Sequence, residues 1–104
     1  MVDPARGEVW LVDLGFAAKV RPCLVLSVAT NDQDRALSTV VAHTTSARNS
    51  RFEVTVTVRF LGAGVFDAQN LITIPRAKFV RKLGVLKAEQ LSEVESAIRR
   101  WLAL

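Results

Sequence analysis

The sequence of 104 residues contains a single cysteine and a single histidine. One cysteine cannot form a disulfide within the chain, and Cys23 and His43 together are too few ligands for a structural zinc site. No apolar run approaches the roughly 18–20 residues that cross a bilayer, and the N-terminal residues lack the pattern of a signal peptide. These absences exclude zinc-finger and disulfide-stapled folds. We therefore expect no metal, no cofactor, no membrane contact and a cytoplasmic location.

Half of the residues are hydrophobic and 23% are charged, which is the composition of a folded protein rather than a disordered one. The length predicts a single domain over residues 1–104. A chain this short buries only about 60–70% of the surface that its unfolded form exposes, so dimerisation would add stability.

Positive charge is concentrated in the middle of the chain. The net charge is +4, and residues 41–82 carry seven basic but only two acidic residues. A cationic segment in a domain of pI near 10.0 indicates a polyanionic partner, most simply nucleic acid. The other interpretation is a solvated, arginine-rich surface without a partner.

Apolar residues alternate with polar ones over much of the chain, as in strands that are buried on one face. After residue 90 the apolar spacing changes to three and four residues, which predicts one amphipathic helix ending near Leu102. Strands are predicted over Glu8–Leu14, Val20–Val28, Leu37–Ser46, Phe52–Phe60 and Leu71–Ile74, with a single-turn element after Pro75. Five or six short strands and one helix predict a mainly β fold with one α element. We expect a small, strongly curved, antiparallel, SH3-like barrel with a C-terminal helix.

The sequence lacks the motifs of most enzyme classes. There is no GxGxxG, P-loop or HExxH motif and no nucleophile elbow. The basic segment has too few carboxylates for a two-metal nuclease. Arginine, lysine, threonine and one histidine remain, and these suffice to cleave RNA because the substrate carries its own nucleophile, the 2′-hydroxyl.

Several segments, in this order along the chain, resemble the landmarks of the MazF/PemK family of bacterial toxins. The segments are Arg6–Leu14, Arg21–Ser27, Val40–Ser46, Asn70–Arg76 and Leu83–Leu86. The resemblance implies a plug-shaped barrel of the PemK/CcdB type that forms a homodimer. It also implies a type II toxin–antitoxin endoribonuclease, which cleaves single-stranded RNA at specific sequences without a metal. The expected products carry 2′,3′-cyclic phosphate and 5′-hydroxyl ends. A cognate antitoxin with an acidic, partly disordered tail is the expected protein partner.

The family motifs assign catalytic roles to Arg21 and Thr45. A permanently charged arginine can neutralise a pentavalent phosphate, and a threonine hydroxyl can donate a hydrogen bond to one of its oxygens. Thr44 and Ser46 are the alternatives to Thr45 if the strand register differs by one residue.

Further substrate contacts are predicted around this pair. Lys19, Arg48 and Arg51 flank it in the sequence and could follow an RNA backbone. His43 stands where the family often has proline; it is expected either to assist as a base, to bind phosphate, or to be a hydrogen-bonded structural histidine. The remaining predicted substrate contacts are Ser46 and Asn70.

Other features bear on the core and on access to the site. Trp10, Trp101 and Cys23 lie in apolar stretches and are expected in the core. The segment 15–20 is shorter than the family's usual loop, which puts closure over RNA in question.

Two other functions fit the same barrel. One is a non-enzymatic toxin that poisons DNA gyrase, which would need no Arg/Thr pair and would use exposed hydrophobic residues at the C-terminal end. The other is a plain nucleic-acid-binding barrel without toxicity.

Overall fold

The computed structural model describes residues 3–15 and 19–104. One six-stranded antiparallel sheet and one C-terminal helix form the fold, which confirms the predicted mainly β class. The elements are β1 (Glu8–Asp13), β2 (Val20–Val25), β3 (Leu37–Thr44), β4 (Glu53–Val54), β5 (Val65–Pro75), a 3₁₀ turn (Arg76–Lys78), β6 (Phe79–Val85) and α1 (Ala88–Leu102).

The sheet has the strand order β4-β5-β3-β2-β1-β6. Its two edge strands, β4 and β6, do not pair with each other in the described residues, so the sheet is open rather than a fully closed barrel. The central strands β2 and β3 are each paired on both sides. Five of their residues are fully buried: Cys23, Leu24, Val25, Val40 and Val41.

The structure corrects the predicted extent of two strands and adds β6, which the sequence analysis did not predict. The alternating segment Phe52–Phe60 forms a strand only at Glu53–Val54, because its partner β5 begins at Val65 and offers no further residues for pairing. In turn, β5 is longer than the predicted Leu71–Ile74. Side-chain burial does not alternate along β6. The register opposite β1 shifts at two places, and three consecutive residues of β6 are exposed.

Both faces of the sheet are buried. One face packs against α1 through the fully buried Val94 and Ala97, while the other face holds a second apolar cluster around Trp10 and Cys23. The helix is amphipathic as predicted, and a salt bridge between Arg6 and Glu95 ties it to the segment before β1. No helix in the described residues is long and apolar enough to span a membrane.

The core predictions for Trp10 and Cys23 are confirmed, and the one for Trp101 is wrong. Trp10 is 8% exposed and Cys23 is fully buried. Burial raises the pKa of the Cys23 thiol to about 12, so this cysteine stays protonated and unreactive at neutral pH. Trp101 touches the Phe52 ring (5.3 Å between centroids) but lies at the end of α1 and stays 43% exposed.

A network around a partly buried carboxylate, that of Glu8, fixes the start of β1. The Glu8 side chain accepts hydrogen bonds from the Ala5 amide (2.8 Å) and the Trp10 indole (3.0 Å) and pairs with Lys82 Nζ (2.9 Å) on β6. Burial alone would raise the pKa of Glu8, but the hydrogen bonds from Lys82, Ala5 and Trp10, with the charge of Lys82, outweigh it. The pKa of Glu8 therefore lies below its ordinary value.

Substituting Glu8→Gln should lower the free energy of unfolding by about 1 kcal/mol at pH 7, because Lys82 loses its partner while the other hydrogen bonds persist. A carboxylate with a depressed folded pKa stabilises the fold above its unfolded pKa. That contribution is lost as the pH falls through the folded value. Denaturant unfolding at pH 7 and at pH 3 should thus show a difference from wild type that shrinks in acid. An equal difference at both pH values would contradict this account.

Candidate active site

The antiparallel pairing of β2 with β3 places the start of one strand beside the end of the other. Cys23 is paired with Ala42, so Arg21 and Thr44, two residues away on each strand, lie at the same end of the sheet. A cavity of about 330 Å³ opens there. It is lined by Lys19, Val20, Arg21, Pro22, His43, Thr45, Gly62 and Ala63.

Four of the predicted site residues therefore lie together: Lys19, Arg21, His43 and Thr45. Two of them are cations, and no carboxylate lines this cavity among the described residues. A cavity wall that carries positive side chains favours a bound anion, as a phosphate group would be. The sequence analysis did not identify Gly62 and Ala63 as wall residues.

Two backbone hydrogen bonds to the residues that follow β1 set the position of Lys19. Its φ of +56° lies in the left-handed region, its N–H donates to the Gly15 carbonyl (2.5 Å) and its carbonyl accepts from the Leu14 N–H (2.9 Å). Left-handed backbone is costly for a residue with a Cβ and often marks functional positions. Residues 16–18 lie outside the described residues, and the prediction about loop closure falls on them.

His43 is the buried member of the group. Its side chain is wedged between the Phe66 ring (5.0 Å between centroids, planes at 73°) and Gly64. Gly64 has a φ of +143°, and a Cβ there would lie 2.7 Å from His43 Cε1, so the ring needs glycine at this position. His43 Nε2 has no hydrogen-bond partner in the described part of the chain. The expectation of a structural histidine with satisfied hydrogen bonds therefore does not hold for this nitrogen. Burial lowers the pKa of His43, so the imidazole is neutral at pH 7.

The two neighbouring threonines have different surroundings. Thr45 follows β3, is exposed and lines the cavity. Thr44 ends β3 on the same sheet face as Ala42 and Arg21, because side chains alternate along a strand. The Thr44 hydroxyl accepts a hydrogen bond from the Ser46 N–H (3.1 Å). Cavity lining favours Thr45 as the functional hydroxyl, whereas the shared face with Arg21 favours Thr44.

The other predicted substrate contacts do not line this cavity. Ser46 and Asn70 are exposed. The Arg48 amide donates to the Glu53 carboxylate (2.9 Å), and the Arg51 guanidinium lies 4.6 Å above the Phe52 ring. Their contact with a substrate stays a prediction.

A second cavity, of about 350 Å³, lies between β4 and α1 and suits an anion less well. Its charged wall residues are Glu53, Glu93 and Arg100, so acidic side chains outnumber basic ones. Within residues 3–15 and 19–104, no group of three or more His, Cys, Asp or Glu side chains is placed to hold a metal ion.

The sequence matches, over residues 5–102, the family described as PemK-like, MazF-like toxins of type II toxin–antitoxin systems. The chain belongs to this family. The family membership expected from the sequence motifs is thereby confirmed, and the protein is a toxin of the MazF/PemK type.

Solved MazF structures share the whole fold. MazF from Deinococcus radiodurans is 27% identical with a TM-score of 0.82, and each chain is covered completely. Mycobacterium tuberculosis toxin MazF-mt6 is 29% identical with a TM-score of 0.79, covering 93% of this chain and 97% of that one. An endoribonuclease from a mycobacterial species, solved in complex with its cognate antitoxin, is 25% identical with a TM-score of 0.83, covering 97% and 96%.

Proposed function

We propose that this toxin is an endoribonuclease that cleaves single-stranded RNA, with specificity for sequence, in the cavity at the end of β2 and β3. The observation that carries the proposal is the assembly of Lys19, Arg21 and Thr45 around one cavity. Family membership and the description of a related structure as an endoribonuclease support it.

In the proposed reaction, the 2′-oxygen of the RNA attacks the adjacent phosphorus and the 5′-oxygen leaves. The products are a 2′,3′-cyclic phosphate and a 5′-hydroxyl. The Arg21 guanidinium neutralises the negative charge that develops on the pentavalent phosphate. Lys19 provides a second cation in the wall of the same cavity. The Thr45 hydroxyl donates a hydrogen bond to a non-bridging oxygen. Because these side chains supply the positive charge, the proposed reaction proceeds without a metal.

The same cationic cavity supports proposals about the partners. A related endoribonuclease was solved with its cognate antitoxin, and we propose that an antitoxin with an acidic tail restrains this toxin by covering the cavity. The active form is proposed to be a homodimer. An RNA substrate places the proposed activity in the cytoplasm.

One observation favours a second candidate, the non-enzymatic gyrase-poison toxin. That function would use exposed hydrophobic residues at the C-terminal end, and Trp101, Leu102 and Leu104 are 43%, 47% and 84% exposed. The arginine and threonine of the cavity have no role in this alternative. A plain nucleic-acid-binding barrel is the third candidate.

Incubating the purified toxin with a long single-stranded RNA in EDTA should give discrete fragments with cyclic phosphate ends. Arg21→Ala should lower the cleavage rate by about 10²–10³-fold, because the lost contact acts mainly in the transition state. Arg21→Lys should also be slow, since an ammonium cannot reproduce the two parallel hydrogen bonds of a guanidinium. Circular dichroism should report an unchanged fold. Gyrase inhibition without RNA cleavage would favour the second candidate, and binding alone the third.

Thr45→Val and Thr44→Val form a matched pair that tests which hydroxyl acts. Each variant keeps the β-branched shape and removes one hydroxyl. We expect Thr45→Val to lose most of the single-turnover cleavage rate, and Thr44→Val to have a much smaller effect. A larger loss in Thr44→Val would assign the role to the threonine that shares a sheet face with Arg21.

A further inference from the structure

The proposed reaction needs a proton acceptor, and the cavity contains a single suitable group among its described residues. The 2′-hydroxyl must lose its proton as its oxygen attacks phosphorus. Lysine and arginine side chains offer hydrogen-bond donors but no acceptor, and a threonine hydroxyl is a weak base. The other wall residues besides His43 have apolar side chains or none. The residues outside the described ranges are Met, Val, Phe and two Ala, and none of these has an ionisable side chain.

We propose that His43 is the general base of this toxin and takes the 2′-hydroxyl proton on Nε2. This inference rests on the proposed function and assigns one further role within it. The proton moves from the ribose 2′-oxygen to His43, the 2′-oxygen–phosphorus bond forms, and the phosphorus–5′-oxygen bond breaks. The departing 5′-oxygen takes a proton from water, and the hydroxide that remains takes the proton from His43, which restores the neutral base.

The structure prepares His43 for this role in three ways. The side chain is only 4% exposed, yet it forms part of the cavity wall. Its Nε2 lacks a partner within the described ranges, and a buried nitrogen of this kind normally has one. Phe66 and Gly64 hold the ring in place from two sides.

Burial also keeps His43 in the unprotonated form that a general base requires. It lowers the pKa of His43, so the ring is neutral and able to accept a proton at pH 7. Among the described residues, the charged groups that line the cavity are Lys19 and Arg21, and no carboxylate lines it to favour a protonated ring. Nε2 has almost no contact with solvent, so the 2′-hydroxyl reaches it only after bound RNA shifts the cavity wall. Loss of His43 should therefore change kcat more than KM.

The pH profile of the unmodified toxin is the first test. Single-turnover cleavage in EDTA between pH 5 and 8 should be constant at neutral pH. It should fall about tenfold per pH unit below a midpoint under 6.5, the ordinary histidine value. A histidine whose folded pKa is lowered also costs stability as the pH drops below its unfolded pKa, so circular dichroism should accompany each point. A rate that stays constant to pH 5 in a folded protein would overturn the inference.

The second test compares His43→Gln with wild type. Glutamine keeps polar hydrogen-bonding groups but cannot take the proton, so kcat should fall by about 10²-fold or more with KM within about twofold. The acid midpoint should disappear from the profile. In His43→Ala, added imidazole should restore part of the rate. A folded His43→Gln toxin with the rate and pH profile of wild type would overturn the inference.

The two proposals fail in distinguishable ways. Cleavage that depends on Arg21 but not on His43 would leave the proposed function intact and overturn only the assignment of the base. A wild-type toxin that cleaves no RNA would overturn both.

Discussion

The register of β2 between its two neighbours is the constraint on which the site depends. Cys23 lies opposite Trp10 of β1 and Ala42 of β3, and all three side chains are buried in one cluster. Leu24, the next residue, is fully buried on the other face. A slip of one residue would exchange the two faces, so the register is strongly specified. It brings the start of β2 and the end of β3 together at the cavity.

The chemistry of the cavity follows from a contrast in burial. Lys19 is exposed and Arg21 is partly exposed. A cation that stays in contact with water avoids the free-energy cost of burying a charge. His43 is buried against Phe66, and this burial lowers its pKa and keeps the imidazole neutral. One cavity thus combines two cations with an uncharged imidazole, and the proposed reaction depends on this combination.

Much of this could be predicted from the sequence, and the failures have physical causes. Alternation in 52–60 predicted correctly that Phe52, Val54 and Val56 are buried, but pairing depends on a partner strand, and β5 begins only at Val65. The motifs around Arg21 and Thr45 led to residues of one cavity. Trp101 followed the helical spacing of the core, yet the helix ends beside it and leaves it exposed.

The central claim, that RNA binds in the cavity at the end of β2 and β3, is tested most directly by NMR. A short RNA with 2′-O-methyl groups carries no nucleophile and should bind without being cleaved. Titrating it into isotope-labelled toxin should shift the amide signals of residues 19–21, 43–45 and 62–63 most strongly. Signals around Arg48, Arg51 and Asn70 would show how far the RNA extends. Shifts confined to the cavity between β4 and α1, or to the exposed C-terminal residues, would contradict the account.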